Sequence, residues 1–192
     1  QRMDGISRGT VTLVGLGDER AHEMILQQQA AHAMAFNKGT STQSYPNSLM
    51  GMIALLRQTY LDGQWYAQQQ DEVNLSLKAW NEVQSLPQIF AVNDRLEALR
   101  AGKLGREFGK TYILKGNGDE YQRLEELKGL NTVFILPLDF PDAYDVEDPY
   151  DAQQVTLAQL KHWEMAPSNA GRLAEAGIPI AFTANGLEKP AQ

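Results

Sequence analysis

From Pro87 onward the chain alternates between short apolar runs and longer segments whose apolar residues return at helical spacing, and this restricts the fold more than any other feature. The runs are residues 88–92, 111–114, 132–136 and 178–182, each rich in β-branched or aromatic side chains. Each has the length and character of a buried strand. Between them, segments 94–108, 120–128 and 153–161 carry the spacing of amphipathic helices, as Leu96, Leu99, Leu104 and Phe108 show in the first. The order is βαβαβαβ. Strands joined by helical crossovers pair in parallel, and near-continuous apolarity in each strand fits a sheet covered on both faces. The fold class is therefore α/β, with parallel strands and outer helices. A complete eight-unit (β/α) barrel takes about 250 residues, so a chain of 192 accommodates part of one.

The first 86 residues are less regular. Val11, Leu13 and Val14 lie in a strand-like stretch, residues 9–16, closed by Gly15 and Gly17. Residues 21–36 are mostly Ala, Met, Gln and Leu, and composition predicts a helix there that stops at Asn37-Lys38-Gly39. A loop follows to Ser48, which is placed to cap a helix from Leu49 that turns Met52, Ile53, Leu55 and Leu56 toward a core. Tyr60, Trp65 and Tyr66 extend that helix and suit core packing or a ligand groove. A further helix is expected over 71–84.

A net charge of -7 and a pI near 5.0, with no basic stripe, argue against nucleic acid as a partner. The longest apolar runs fall short of a membrane span, so no membrane role is expected. With no cysteine there is neither disulfide nor thiolate metal site. The start, QRMDGISRGT, lacks an initiator Met and a signal-peptide pattern, which suggests a fragment of a longer polypeptide read here as one domain over 1–192.

Three phrases and the last strand unit carry a resemblance to a known family: FNKGTSTQSYPNSLMGMIALLRQTYLDGQWY, GNGDEY, FPDAYDVEDPYD and HWEMAPSNAGRLAEAGIPIAFTANG. With DGISRGT near the start, they resemble the central and C-terminal part of a large bacterial amidohydrolase-like protein of the imidazolonepropionase-like group. The resemblance implies a partial (β/α)8 barrel and hydrolysis of a carbon–nitrogen bond in a cyclic amide or peptide-like substrate, in an exported or periplasmic protein. Active members of that superfamily hold a divalent metal with a His-x-His pair, single histidines on later strands and an aspartate on the last, leaving one position for water. Here the corresponding strand ends read Ala91-Val92-Asn93-Asp94, Leu114-Lys115-Gly116-Asn117 and Thr183-Ala184-Asn185-Gly186, and a His-x-His strand would lie before Gln1. The resemblance thus implies a noncatalytic, degenerate portion with no metal and no cofactor. An active metal-dependent hydrolase would require joining to the missing N-terminal segment, and a binding or scaffold module is the other alternative.

Parallel topology places Asn93, Lys115 and Asn185 together at the carboxyl ends of strands, where barrel chemistry sits. Two amides and an ammonium suit a small amide or carboxylate ligand, and they equally suit polar capping of strand ends. The histidines offer less. His22 and His32 stand ten apart and fall on different faces of the predicted helix, and His162 beside Trp163 fits a helix end or a ring contact. Gly116-Asn117-Gly118-Asp119 lacks the lysine of a phosphate loop, and Asp119 is read as a helix cap. The six carboxylates from Asp139 to Asp151 read as a solvated loop without calcium-loop spacing. Ser41, Ser44 and Ser48 have no nearby base, so no nucleophile is assigned. Expected partners are the remainder of the parent polypeptide or a second copy, because a partial barrel exposes sheet edges.

Overall fold

The computed structural model describes residues 4–18, 20, 22–69 and 71–187. Six strands form one sheet in chain order: β1 (Ser7–Val14), β2 (Ile25–Ala35), β3 (Gln88–Ala91), β4 (Ile113–Lys115), β5 (Phe134–Pro137) and β6 (Ile180–Thr183). β1 and β2 pair antiparallel, whereas β2 with β3, β4 with β5 and β5 with β6 pair in parallel. The four apolar runs after Pro87 are all strands. Helices occupy the crossovers: α1 (Leu49–Gln68) and α2 (Leu75–Glu82) before β3, α3 (Arg95–Glu107) before β4, α4 (Leu124–Lys128) before β5, and α5 (Pro149–Gln154), α6 (Leu157–Met165) and α7 (Asn169–Glu175) before β6. The architecture is α/β, a mostly parallel sheet with helical crossovers in the order of a partial (β/α) barrel. Among the described residues no helix is long and apolar enough to cross a membrane.

One expected helix is a strand. Residues 21–36, read from composition as a helix, contain β2 from Ile25 to Ala35; Ala21 lies outside the described residues. Helix propensity differs among these residues by only tenths of a kcal/mol each, and tertiary pairing overrides it. β2 is hydrogen-bonded on both sides over its second half: Ala35 donates to the Ile6 carbonyl at 3.0 Å and His32 to that of Pro87 at 2.8 Å. The half facing two partners, Ala31 to Ala35, is buried, while the half that pairs with β1 alone is exposed.

Contacts divide the chain into two compact units, residues 1–91 with 101–113, and residues 92–100 with 114–192. The first is built on aromatic packing. Tyr60 of α1 stacks on Phe108 at 4.5 Å and meets Trp80 of α2 edge-on at 4.9 Å. Its hydroxyl lies 2.8 Å from that of Tyr112 and donates to Gln88 Oε1 at 3.1 Å, so the buried polar atoms satisfy one another. Ser48 caps α1 as expected, accepting from Gly51 N at 3.2 Å, and Asn74 caps α2. Trp65, by contrast, is exposed. The second unit buries Leu114, Leu127, Phe134, Leu136 and Leu173 between its strands and helices. Its parallel ladder runs from the end of β3, where Val92 N donates to the Lys115 carbonyl at 2.9 Å, through Gly116 N to the Ile135 carbonyl, also 2.9 Å.

Candidate functional site at the strand carboxyl ends

In the second unit the loops that leave the carboxyl ends of the strands enclose a cleft of about 210 Å3. Asn117 and Gly118 follow β4, Asp139 follows β5, Phe182 belongs to β6, and His162 and Asn169 come from α6 and α7. The cleft therefore lies where a parallel α/β sheet ordinarily binds ligands.

A buried carboxylate shapes its wall. Glu120 has no exposed surface, and its two oxygens accept from Asn117 N at 2.9 Å, Gly118 N at 3.1 Å and Asn169 Nδ2 at 2.7 Å. All three donors belong to cleft-lining residues. Burial pushes the Glu120 pKa up, against the hydrogen bonds that favour its charged form. Asn169, itself buried, turns its carbonyl oxygen to Tyr121 N at 2.8 Å, which ties the start of α7 to the loop after β4. Space explains the glycine before this loop: a Cβ on Gly116 would stand 1.9 Å from Glu120 Oε1.

Asp119 does not cap the following turn with its side chain. Its carboxylate instead accepts from Arg95 N at 2.9 Å and pairs with the Arg95 guanidinium at 2.6 Å, fixing the start of α3. His162 packs on a ring, lying 6.1 Å from Tyr121 and nearly parallel to it, with Nδ1 3.4 Å from the Tyr121 hydroxyl. His22 is exposed beside Glu23, and His32 is buried in β2. The acidic loop serves local turns: Asp148 caps α5 by accepting from Tyr150 N at 2.7 Å, and Asp145 accepts from Glu147 N at 3.2 Å. Asp139 has a further use. It backs the turn at Gly186, where φ is +101° and a Cβ would meet Asp139 Oδ2 at 2.6 Å.

The three residues assigned to ligand binding from sequence stand at strand carboxyl ends. Asn93 follows β3 by two residues, Lys115 ends β4, and Asn185 follows β6 by two. The Asn93 side-chain amide donates to Glu97 Oε2 at 3.0 Å, as its backbone N–H does at 2.8 Å, and Asn185 N donates to Thr183 Oγ1 at 3.2 Å. None of the three lines the cleft itself, whose polar walls are Asn117, Asp139, His162 and Asn169. Sequence reading missed Glu120 and Asn169 because a buried polar pair 49 residues apart leaves no periodic trace; the crowded Gly116-Asn117-Gly118 was the available signal.

A divalent metal does not fit these positions. Among the described residues no three His, Cys, Asp or Glu side chains gather where they could hold one. The strand ends instead offer amides and an ammonium, and an ammonium has no lone pair to give.

No family model matches the chain, and no curated protein matches it. Among solved structures, the chain is similar to the crystal structure of an amidohydrolase from Thermotoga maritima MSB8, with a TM-score of 0.70 at 14% identity. The match covers 96% of this chain and 49% of that one, so the chain spans about half the length of its structural neighbour. At that identity the likeness establishes the fold.

Proposed function

We propose that this chain is a noncatalytic, degenerate portion of an amidohydrolase-like protein of the imidazolonepropionase-like group, and that it binds a small amide or carboxylate ligand at the strand carboxyl ends through Asn93, Lys115 and Asn185. The observation that supports the reading is the residue set at those ends, Asn93 and Asn185 two residues past β3 and β6 and Lys115 ending β4, where the resemblance implies imidazoles and a carboxylate in an active metal-dependent hydrolase. Amide N–H groups and one ammonium complement a ligand that presents carbonyl or carboxylate oxygens. The adjoining cleft, with its wall fixed by Glu120, gives such a ligand's body a place to sit.

Calorimetric titration of the full chain with N-acetylglycine tests this. Saturable binding is expected, weakened by about tenfold or more in Lys115→Ala, the loss of one charge-assisted contact. Absence of binding, or binding indifferent to Lys115→Ala, overturns the ligand assignment. Stoichiometric zinc by elemental analysis, with amide hydrolysis dependent on it, overturns the noncatalytic reading.

The expected macromolecular partner is the remainder of a longer polypeptide or a second copy. That reading is supported by the half-length match and by the sheet's two end strands, β1 and β6, which carry exposed Leu13, Val14 and Phe182.

A further inference from the structure

The first unit holds a cleft of its own, about 690 Å3, walled by the β1–β2 hairpin on one side and by α1 and α2 on the other. Among the described residues its charged lining groups are two carboxylates, Asp62 of α1 and Glu82 of α2, with no lysine or arginine beside them. Hydroxyls and amides, Ser7 and Thr10 among them, add further acceptors. Trp80 also lines the cleft and meets the His32 ring edge-on at 5.5 Å.

His32 also lines this cleft, is 1% exposed, and has Nε2 2.8 Å from Ser7 Oγ. A serine beside an imidazole invites a nucleophilic reading, but the rest of the geometry opposes it. A histidine that takes a serine proton at Nε2 needs its Nδ1–H held by an acceptor. His32 Nδ1 is buried without a hydrogen-bond partner. An orphaned buried N–H is rarer than an orphaned lone pair, so the proton belongs on Nε2, donated to Ser7. Ser7 then receives a hydrogen bond and keeps its own hydrogen, which makes it a contact group. Burial lowers the His32 pKa to about 4, so the ring brings no positive charge to the cleft near neutral pH.

We propose that this cleft is a binding site for a small organic cation, a primary ammonium on an apolar body, with Asp62 and Glu82 as counter-ions and Trp80 against the apolar part. An anion would meet two carboxylates and, among the described residues, no lysine or arginine. A neutral ligand would gain nothing from the two charges, since Asp62 already accepts from Gln58 Nε2 at 2.6 Å and Glu82 is exposed to water. The ammonium pairs with the carboxylates by charge-assisted hydrogen bonds, and Trp80, 7% exposed, offers the part of its indole that lines the cleft to the carbon skeleton. This site is independent of the one proposed at the strand carboxyl ends.

The test is an NMR titration of the full chain with benzylammonium, followed at the Trp80 indole N–H, beside benzyl alcohol and phenylacetate. Saturable shifts are expected with benzylammonium, and binding at least about tenfold weaker for both other compounds. The double variant Asp62→Asn/Glu82→Gln is expected to weaken benzylammonium by about tenfold or more, and Glu82→Gln alone, at an exposed site, in the same direction. Because a net charge of -7 attracts cations everywhere, Asp142→Asn/Asp145→Asn serves as control and is expected to leave affinity within about twofold. Benzyl alcohol binding as tightly as benzylammonium, equal weakening by the control variant, or no saturation at the indole overturns the proposal.

Discussion

His32 is the residue whose environment departs furthest from what its position in the chain suggests. It sits in a strand built of Ala, Gln and Met, buried beneath Trp80, with its pKa lowered to about 4 by desolvation. A histidine depressed in the folded state binds its proton more readily when unfolded. Stability is therefore complete above the unfolded value of about 6.5 and is lost as pH falls through the interval down to about 4. The interval corresponds to about 3 kcal/mol. Glu120, whose pKa is raised, acts with the opposite sign, so urea denaturation of the parent and of His32→Gln should be compared at pH 7, 5.5 and 4.5. The parent is expected to lose more stability on acidification than the variant; parallel slopes would show that the imidazole is accessible in the folded chain. None of this was legible from sequence, because burial of a histidine follows from its strand partners and not from its neighbours in the chain.

At the scale of elements, the βαβ pattern after Pro87 was legible because each strand is a continuous apolar run and each helix keeps its own period. β2 was not. Its residues favour a helix in isolation, and only the pairing with β1 and β3 makes it a strand. Helix packing supplies a test that propensity alone would answer wrongly. Gly63 lies inside α1, where Gly→Ala ordinarily stabilises by up to about 1 kcal/mol. A Cβ there, however, would stand 2.8 Å from Trp80 Cδ1 and 2.7 Å from Asn81 Oδ1, whose amide bonds the Gly63 carbonyl at 2.9 Å. Gly63→Ala is expected to destabilise by about 1–3 kcal/mol through overpacking. Gly171→Ala in α7, with nothing within 4 Å of the new Cβ, is expected to leave stability unchanged or raise it by up to about 1 kcal/mol. Thermal denaturation of both variants checks the pair, and a stabilised Gly63→Ala would mean that α1 and α2 do not meet at this glycine.

For the whole molecule, the candidate site was legible only as far as topology carries: the strand ends at Asn93, Lys115 and Asn185 could be named, whereas the Glu120–Asn169 wall could not. The same topology leaves β1 and β6 as end strands with exposed apolar residues, so the chain studied alone is expected to self-associate. Light scattering across a concentration series should show mass rising above 21.4 kDa, and a monodisperse monomer at every concentration would contradict that. The binding claim is tested most directly by backbone amide shifts of the labelled chain during titration with N-acetylglycine. Saturable shifts are expected at Asn93, Lys115 and Asn185 and along the loop from Gly116 to Gly118. Shifts confined to the opposite strand ends, at Gln88, Ile113 and Ile180, or no saturable shift at all, would contradict it.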